Sequence, residues 1–394
     1  MNNHLKNRHE TLFLWDARKS NPNGDPNGNE PRIDRHTKRC DITDVCIKRS
    51  IRNFITTKYG LNSILVTKLG DDASETVTLT DRISNYLFGT AEKIKKLKDI
   101  VEKHAEGKLD KTLEPYKSFN EKPSPATLKT IISSKKEDKD KLKKILINKD
   151  IDIETLQSGI IKDLRAYLCG AFSDLRMFGS VLALEKELNP LGGPITGPIQ
   201  IEIGTSLHRV VQSNKQITSV MGSKEEKEAG IIGDTHCIEY GLFATSAIAN
   251  ENAAKFTGLT AEDHDLFLKT LWRGTRERHT RSKNQVPRLL IDIEYNKPFH
   301  FGDLVNSVGL KPKFDEKVGK TIEEESYRSI DDFTIDLTGF FNKIDSKKES
   351  VDSIKFASYG LISLKEFKEG LPKELVNNIF ELTDIDFDKA PETK

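Results

Sequence analysis

Two kinds of side chain in this 394-residue sequence have the type and spacing for chemistry: carboxylates on a Pro/Gly-rich loop, and cations gathered on two separate segments. The loop, NPNGDPNGNEPRID (21–34), holds Asp25, Glu30 and Asp34. Carboxylates in a loop can bind a metal or serve as a base, yet Asn, Asp, Gly and Pro are also what turns require. A second acidic group, Asp234, His236 and Glu239, mimics a metal cluster. If a strand begins at 238, His236 and Glu239 point to opposite faces, so no metal is expected there. GxGxxG, GxxxxGK[ST], GxSxG and HExxH are absent from the sequence, which leaves phosphate-loop, lipase-type and zincin chemistry without support. Cys40, Cys46, Cys169 and Cys237 form no CxxC pair and read as reduced structural thiols.

The cations are more informative. Lys48, Arg49 and Arg52 share one side of a predicted helix, with Arg32, Arg35, Lys38 and Arg39 in its lead-in; Arg273, Arg276, Arg278, Arg281 and Lys283 gather at the end of a second helix. One charge run is usually a solvated face. Two of the same sign on core helices suit phosphate-backbone binding with little base reading. The net charge of +1 conceals an asymmetry. Residues 1–60 carry twelve Lys/Arg against seven acids, residues 91–150 seventeen Lys against eleven, and residues 301–394 fourteen basic against twenty acidic. Such a distribution fits a polyanion on one face or head-to-tail assembly of copies.

The elements that must position these groups follow from periodicity. Thr11–Trp15 reads as a buried strand, and the loop after it forbids regular continuation. Ile47, Ile51, Phe54 and Ile55 are spaced as one face of a helix over 43–55. Residues 61–150, Lys-rich and broken by EKPSPAT, read as an inserted helical subdomain. A helix near 152–168 precedes a strand over 174–184. Ile199, Ile201 and Ile203 alternate with Gln200 and Glu202, predicting a strand within 193–204. Residues 206–236 lack a period and read as a protruding hairpin. A strand over 238–249, a helix opened by the Thr260/Asp263 capping box and a strand over 286–295 follow. Stripped of insertions, the order is strand, helix, strand, strand, helix, strand, the ferredoxin-like or RRM pattern of an α+β fold. An RRM normally stacks bases on aromatics of a central strand, and that motif is missing. Hydrophobic residues are 36%, mean hydropathy is −0.53, and no apolar run approaches the roughly 20 residues that cross a bilayer. The opening residues do not read as a secretory signal, so a cytoplasmic protein without membrane partners is expected.

Six segments together resemble one family: NPNGDPNGNEPRID behind the first strand, TDVCIKRSIRNFI, DLRMFGS, GPITGPIQIEIGTSLHRV, GLFATSAIANENAAKFTGLTAEDHDLF and RSKNQVPRLLIDIEY. In this order they are similar to the backbone subunit of the Cascade surveillance complex, the seventh family of CRISPR-associated core proteins. KNRHETLFLWDA, NENAAK and RSKNQVPRLL most resemble the type I-B subunit, with type I-C the near alternative. The resemblance implies a right-hand shape. The RRM-like palm would come from 1–60, 151–205 and 237–300, Lys-rich fingers or web from 61–150, a thumb from 206–236 and an acidic extension of the palm from 301–394.

The resemblance also implies partners and site residues. Copies would polymerise head-to-tail along the spacer of CRISPR RNA, beside other Cascade subunits, and leave bases free to pair with target DNA. RNA contacts carried over from the family fall on Arg32, Lys48, Arg49, Arg52, Thr196, Gln200, Ser206, His208, Arg209 and Lys283. The cations would neutralise phosphates, Ser206 and His208 would hydrogen-bond or stack where the guide kinks, and Met221 in the thumb would wedge between bases. No catalytic residue, metal or cofactor is implied. Related type III subunits cleave target RNA with an aspartate in the early loop, near Asp25, so the alternative is an RRM-like RNA endonuclease using Asp25 or His208.

Overall fold

In the computed structural model, which describes residues 3–67, 77–148, 150–218, 232–280, 282–383 and 386–387, the opening aromatic run is the middle of a 13-residue strand, Arg8–Ser20. The chain divides into two units. A sheet unit takes 5–54, 199–251 and 264–394, and a helical unit takes 1–4, 55–198 and 252–263.

In the sheet unit, Arg8–Ser20 lies between Ile232–Ala249 and Gln285–Tyr295 and is antiparallel to both. Ile199–Ile201 and Gly204–Ser206 pair on the far side of Ile232–Ala249, and Asp41–Ile42 closes that edge. On the other flank Val351–Ser358 and then Ile379–Glu381 extend the sheet. With the strands expected at 11–15, 193–204, 238–249 and 286–295 numbered in chain order, their spatial order is 4-1-3-2.

Alternation gives this sheet two buried faces. Leu12, Leu14, Tyr240, Leu242, Ile291 and Ile293 form a core with Leu304, Tyr327, Phe333, Ile335 and Phe340, so the segment after 300 covers one face. On the opposite face Phe13, Trp15 and Phe243 stack, ring centroids 5.2 and 5.6 Å apart. There Phe13 and Trp15 line one small cavity with Ile47 and Ser50 of the helix Asp44–Tyr59, Thr275 of the helix Ala261–Glu277 and Arg278 just beyond it. Gly204 is required by this packing, because a Cβ there would sit 2.6 Å from the Trp15 indole.

The helical unit is built from properly terminated short helices. Thr78 and Asp81 form a capping box before Leu79–Phe88, Thr90 caps Ala91–Ala105, Ser124 followed by Pro125 starts Pro125–Ile132, and Asp152 accepts from the Glu154 and Thr155 amides ahead of Ile153–Ala171. Each cap satisfies amides that the first turn cannot. Leu97, Val101, Leu128, Ile160, Leu164 and Leu168 share one core. Because the apolar face of Ile153–Ala171 is consumed there, the helical unit runs to Pro198, whereas the sequence reading stopped it at 150.

Two expected strands differ in the structure. Residues 174–184 begin as a helix, Ser173–Phe178, and become a strand only at Gly179–Leu182. Gly179, at φ 65°, makes the break. The strand expected within 193–204 is three pieces: Gly193–Thr196, which pairs with Gly179–Leu182 in the helical unit, then Ile199–Ile201 and Gly204–Ser206. Pro198 has no amide to donate to a ladder, and Ile203, expected half-buried, is 57% exposed. Among the described residues, no helix is long and apolar enough to cross a membrane.

Candidate nucleic-acid interface

The Pro/Gly loop is held by its own side chains. Asp25 Oδ1 accepts the amides of Gly28 at 2.8 Å and Glu30 at 3.3 Å, while Asp34 Oδ1 accepts from the His36 amide, the Thr37 amide and the Thr37 hydroxyl at 2.7–3.0 Å. Backbone amides, that of Gly28 foremost, hold the Asp25 carboxyl below its usual range, and the Thr37 amide does the same for Asp34. A carboxylate stabilised in its charged form is a poor base. Both act as loop staples.

The lead-in that follows is pinned to the sheet. The Asp41 amide donates to the Arg32 carbonyl at 2.8 Å, the Ser206 amide to the Cys40 carbonyl at 2.9 Å, and the Val210 amide to the Lys38 carbonyl at 2.9 Å. Arg35, Lys38 and Arg39 are exposed between these anchors, and Lys38 sits at φ 57°. The backbone of this strip is therefore fixed alongside residues 204–210 while its cations face solvent. On the helix Asp44–Tyr59, Ile47 and Ile51 are buried and Arg49 is exposed, whereas Lys48 is half-buried and forms an i,i+4 pair with Asp44 at 2.9 Å. Arg52 is half-buried.

Other expected contacts land in different environments. Gln200 is exposed on its strand, opposite Ile248. Thr196 is exposed but belongs to the helical unit. Arg32 is half-buried. Arg209 is exposed and lies 3.4 Å from Glu324 and 3.5 Å from Glu325; exposed pairs like these are worth only about 0–1 kcal/mol and exchange readily for a phosphate. Met221 lies outside the described residues. The strands flanking it, Gln212–Thr218 and Ile232–Ala249, pair from Gln212/Ile238 to Thr218/Ile232 as the two arms of a hairpin.

Ser206 and His208 are buried. The Ser206 hydroxyl is fully buried, donating to the His208 carbonyl at 2.8 Å and accepting from the Cys40 amide at 3.0 Å. The His208 ring is stacked on Tyr240, centroids 5.7 Å apart, with Tyr327 edge-on. Its Nε2 accepts the Leu242 amide at 3.2 Å, which leaves Nδ1 to donate to the Arg209 carbonyl at 2.8 Å. Burial lowers its pKa, so the ring is a neutral internal brace. The hydrogen bonds of Ser206 and His208 join the lead-in to the sheet.

In the second basic cluster Arg278 and Lys283 are committed inward, Arg276 is exposed, and Arg281 lies outside the described residues. Arg278 Nη1 donates to Ser50 Oγ at 2.8 Å and to Cys46 Sγ at 3.3 Å. Lys283 donates to the Asn21 carbonyl, and burial, helped by the neighbouring Arg278 charge, brings its pKa down to about 8. Arg273 pairs with Glu277 at 3.1 Å. Sequence reasoning passed over one further group, His9, His264 and Asp292, buried together under the helix Ala261–Glu277. Its members are far apart in the chain, and only the strand register reveals that they meet.

Residues 7–338 match the family model described as CRISPR-associated protein Cas7. A protein of that description from Haloferax volcanii is 26% identical over 377 residues, which cover 91% of this chain and 88% of the relative. Among solved structures, a chain of a "CRISPR RNA-guided surveillance complex, pre-nicking" aligns with a TM-score of 0.48 at 13% identity, covering 97% of this chain and 98% of that one. A chain of another CRISPR RNA-guided surveillance complex aligns with a TM-score of 0.44 at 13% identity and the same coverages. With a family match running from residue 7 to residue 338 of 394, the chain belongs to the CRISPR-associated protein Cas7 family.

Proposed function

We propose that this chain is a non-catalytic backbone subunit of a type I CRISPR effector complex, of the I-B kind with I-C the near alternative, which coats the spacer of CRISPR RNA and presents it for pairing with target DNA. The observation that carries the reading is the exposed strip Arg35, Lys38 and Arg39, fixed beside Arg209 on a sheet whose two faces are both packed. A closed sheet leaves no platform for stacking bases, and a rigid strip of cations tracks phosphates without reading sequence. In this reading the sheet unit is an RRM-like palm, with the 4-1-3-2 strand order in support. The helical unit serves as the fingers, and the hairpin around 212–238 is the base of the thumb. Copies bind head-to-tail on the RNA, with other Cascade subunits at the ends.

The contacts are Arg35, Lys38, Arg39, Arg49 and Arg209, with Lys48, Arg52 and Gln200 on the same unit; Ser206 and His208 act behind them. An RNA endonuclease reading has less behind it, because the Asp25 carboxylate is occupied by loop amides.

The test is to express the chain with and without a CRISPR array and to sequence the nucleic acid that co-migrates on gel filtration. Uniform spacer-containing RNA in a large particle is the expected result. An RNA-free monomer overturns it. The Lys48→Glu, Arg52→Glu double variant should lose guide binding. An RNA cut that disappears in Asp25→Asn would restore the nuclease reading.

A further inference from the structure

We infer that His9, His264 and Asp292 form a structural site for a divalent transition-metal ion of the zinc class inside the sheet unit. The strand register builds it. Thr11 lies opposite Asp292 and His9 opposite Glu294 across one ladder, while Lys355 and Ser353 lie opposite the same two acids across the next. The helix Ala261–Glu277 then lowers His264 onto this face. The imidazole of His9, both rings' donor nitrogens and the Asp292 carboxylate are all within a few ångströms: donor atoms of the three residues lie within 4.8 Å of one another, and each residue is buried.

The donor geometry is that of a three-residue ligand set. His9 Nδ1 is 3.0 Å from Asp292 Oδ2, and His264 Nε2 is 3.1 Å from both carboxylate oxygens. Bonds of about 2.0–2.2 Å to an ion at the centre of a tetrahedron set its donors roughly 3.3 Å apart, close to these separations. Two imidazole nitrogens and one carboxylate oxygen thus supply three donors and leave the fourth position of a tetrahedron to water. The nitrogen and oxygen set, without thiolate, suits zinc and its neighbours better than calcium or magnesium. The imidazole rings, 4.1 Å apart and tilted by 41°, converge on the carboxylate. His264 has no other polar commitment, since its Nδ1 is buried without a partner.

An outer shell is also present. The Thr11 hydroxyl donates to Asp292 Oδ1 at 2.7 Å, and Glu294 Oε1 stands 3.9 Å from His9 Nε2, behind the ring. Glu294 is itself held by Asn7 at 2.8 Å and Ser353 at 3.0 Å. Groups of this kind orient ligands and raise their basicity. Charge balances as well. Lys355 is closely paired with Asp265, so Asp292 and Glu294 leave two negative charges for a divalent ion to cancel. On binding, the nitrogen of each ring that faces the carboxylate presents its lone pair to the ion, and the ring's one proton sits on the other nitrogen. An ion enclosed in this way enters as the chain folds.

The full chain, without a histidine tag, would be expressed in zinc-supplemented medium, desalted, and assayed for metal by mass spectrometry. One zinc per chain is expected, with a melting temperature that falls when the protein is refolded in chelator. Refolding with cobalt should give the intense visible bands of a tetrahedral cobalt site. His264→Gln and His9→Gln should each lower metal content at least about tenfold, and Thr11→Val should weaken retention by about tenfold. His236→Gln, on the hairpin, should retain the ion. Wild-type protein that holds no zinc, gives no tetrahedral cobalt spectrum and refolds to the same melting temperature with or without zinc overturns the site, whether or not the variants fold. Guide RNA binding by a metal-free chain would leave the proposed function standing.

Discussion

Two stretches of this chain are rich in cations, and the fold uses them differently. Between 32 and 52 the backbone is tied down, and Arg35, Lys38, Arg39 and Arg49 stand outward. Between 273 and 283 Arg278 and Lys283 turn in and do the tying. Arg278 joins the helix Ala261–Glu277 to the helix Asp44–Tyr59 through Ser50 and Cys46, and Lys283 clamps the start of the Pro/Gly loop at Asn21. Charge density therefore marks neither a ligand site nor a structural brace. What separates the two is whether an acceptor lies within reach once the strands pair. Lys283 anchors the start of the loop that leads into Arg32–Arg39, and the strip itself is held by the Arg32, Lys38 and Cys40 carbonyls.

The sharpest way to break this comparison is to reverse the outward charges. Replacing Arg35, Lys38 and Arg39 together by Glu should leave the unfolding transition unchanged while lowering affinity for single-stranded RNA by about a hundredfold or more at low salt. Neutralising the same three side chains should reduce the slope of log affinity against log salt by about two, at roughly 0.7 per phosphate on a single strand. A slope that does not move would remove the strip from the interface. The inward cluster should respond the other way. Arg278→Ala removes a charged donor from Ser50 and should cost about 1.5–3 kcal/mol in urea unfolding, with the salt slope of RNA binding unaltered. Loss of slope at unchanged stability would make Arg278 a phosphate ligand.

The same distinction explains what could be read from the sequence. Strands and helices with one buried face were legible, because burial imposes a period: Thr11–Trp15, the helix carrying Ile47, Ile51 and Phe54, the strand before residue 249 and the capping box at Thr260 and Asp263 all stand where the pattern put them. The stretch 193–204 misled because Ile199, Ile201 and Ile203 alternate as a strand does, while Gly197 and Pro198 set its path. A Cβ on Gly197 would lie 2.0 Å from the Phe178 backbone, a contact that no local pattern announces. Side-chain roles were less legible than elements. Ser206 and His208 are polar residues beside a basic segment, which is how a ligand contact and a buried brace both look in one dimension. The difference is made by Cys40, Leu242 and Tyr240, which are distant in sequence.

His208→Phe separates those two readings directly. The aromatic replacement keeps a ring on Tyr240 but leaves the Leu242 amide and the Arg209 carbonyl without their partner. It should cost about 1–3 kcal/mol and leave intrinsic RNA affinity per folded molecule intact. A stable variant with weakened RNA binding would return His208 to the interface.

The smallest effect expected is also the one that tests the inward clamp most directly. An unfolded lysine keeps its proton to about pH 10.5, whereas folded Lys283, disfavoured by burial and by Arg278, releases it near pH 8. Between these values the unfolded chain binds more protons than the folded one, so this residue contributes stability that rises with pH; its penalty is fully present below pH 8. Cys169 and Cys40 oppose it. Burial raises their thiols to about 11 and about 12 from 9.0, so above pH 9 the folded chain holds protons that the unfolded chain has lost, and stability falls. The rise belonging to Lys283 is therefore clearest between pH 8 and 9. It is isolated as the difference between wild type and Lys283→Met in urea unfolding measured at each pH. A difference that does not change across that interval would mean Lys283 keeps its charge at the Asn21 carbonyl, and the 273–283 cluster would then hold a cation available to phosphate after all.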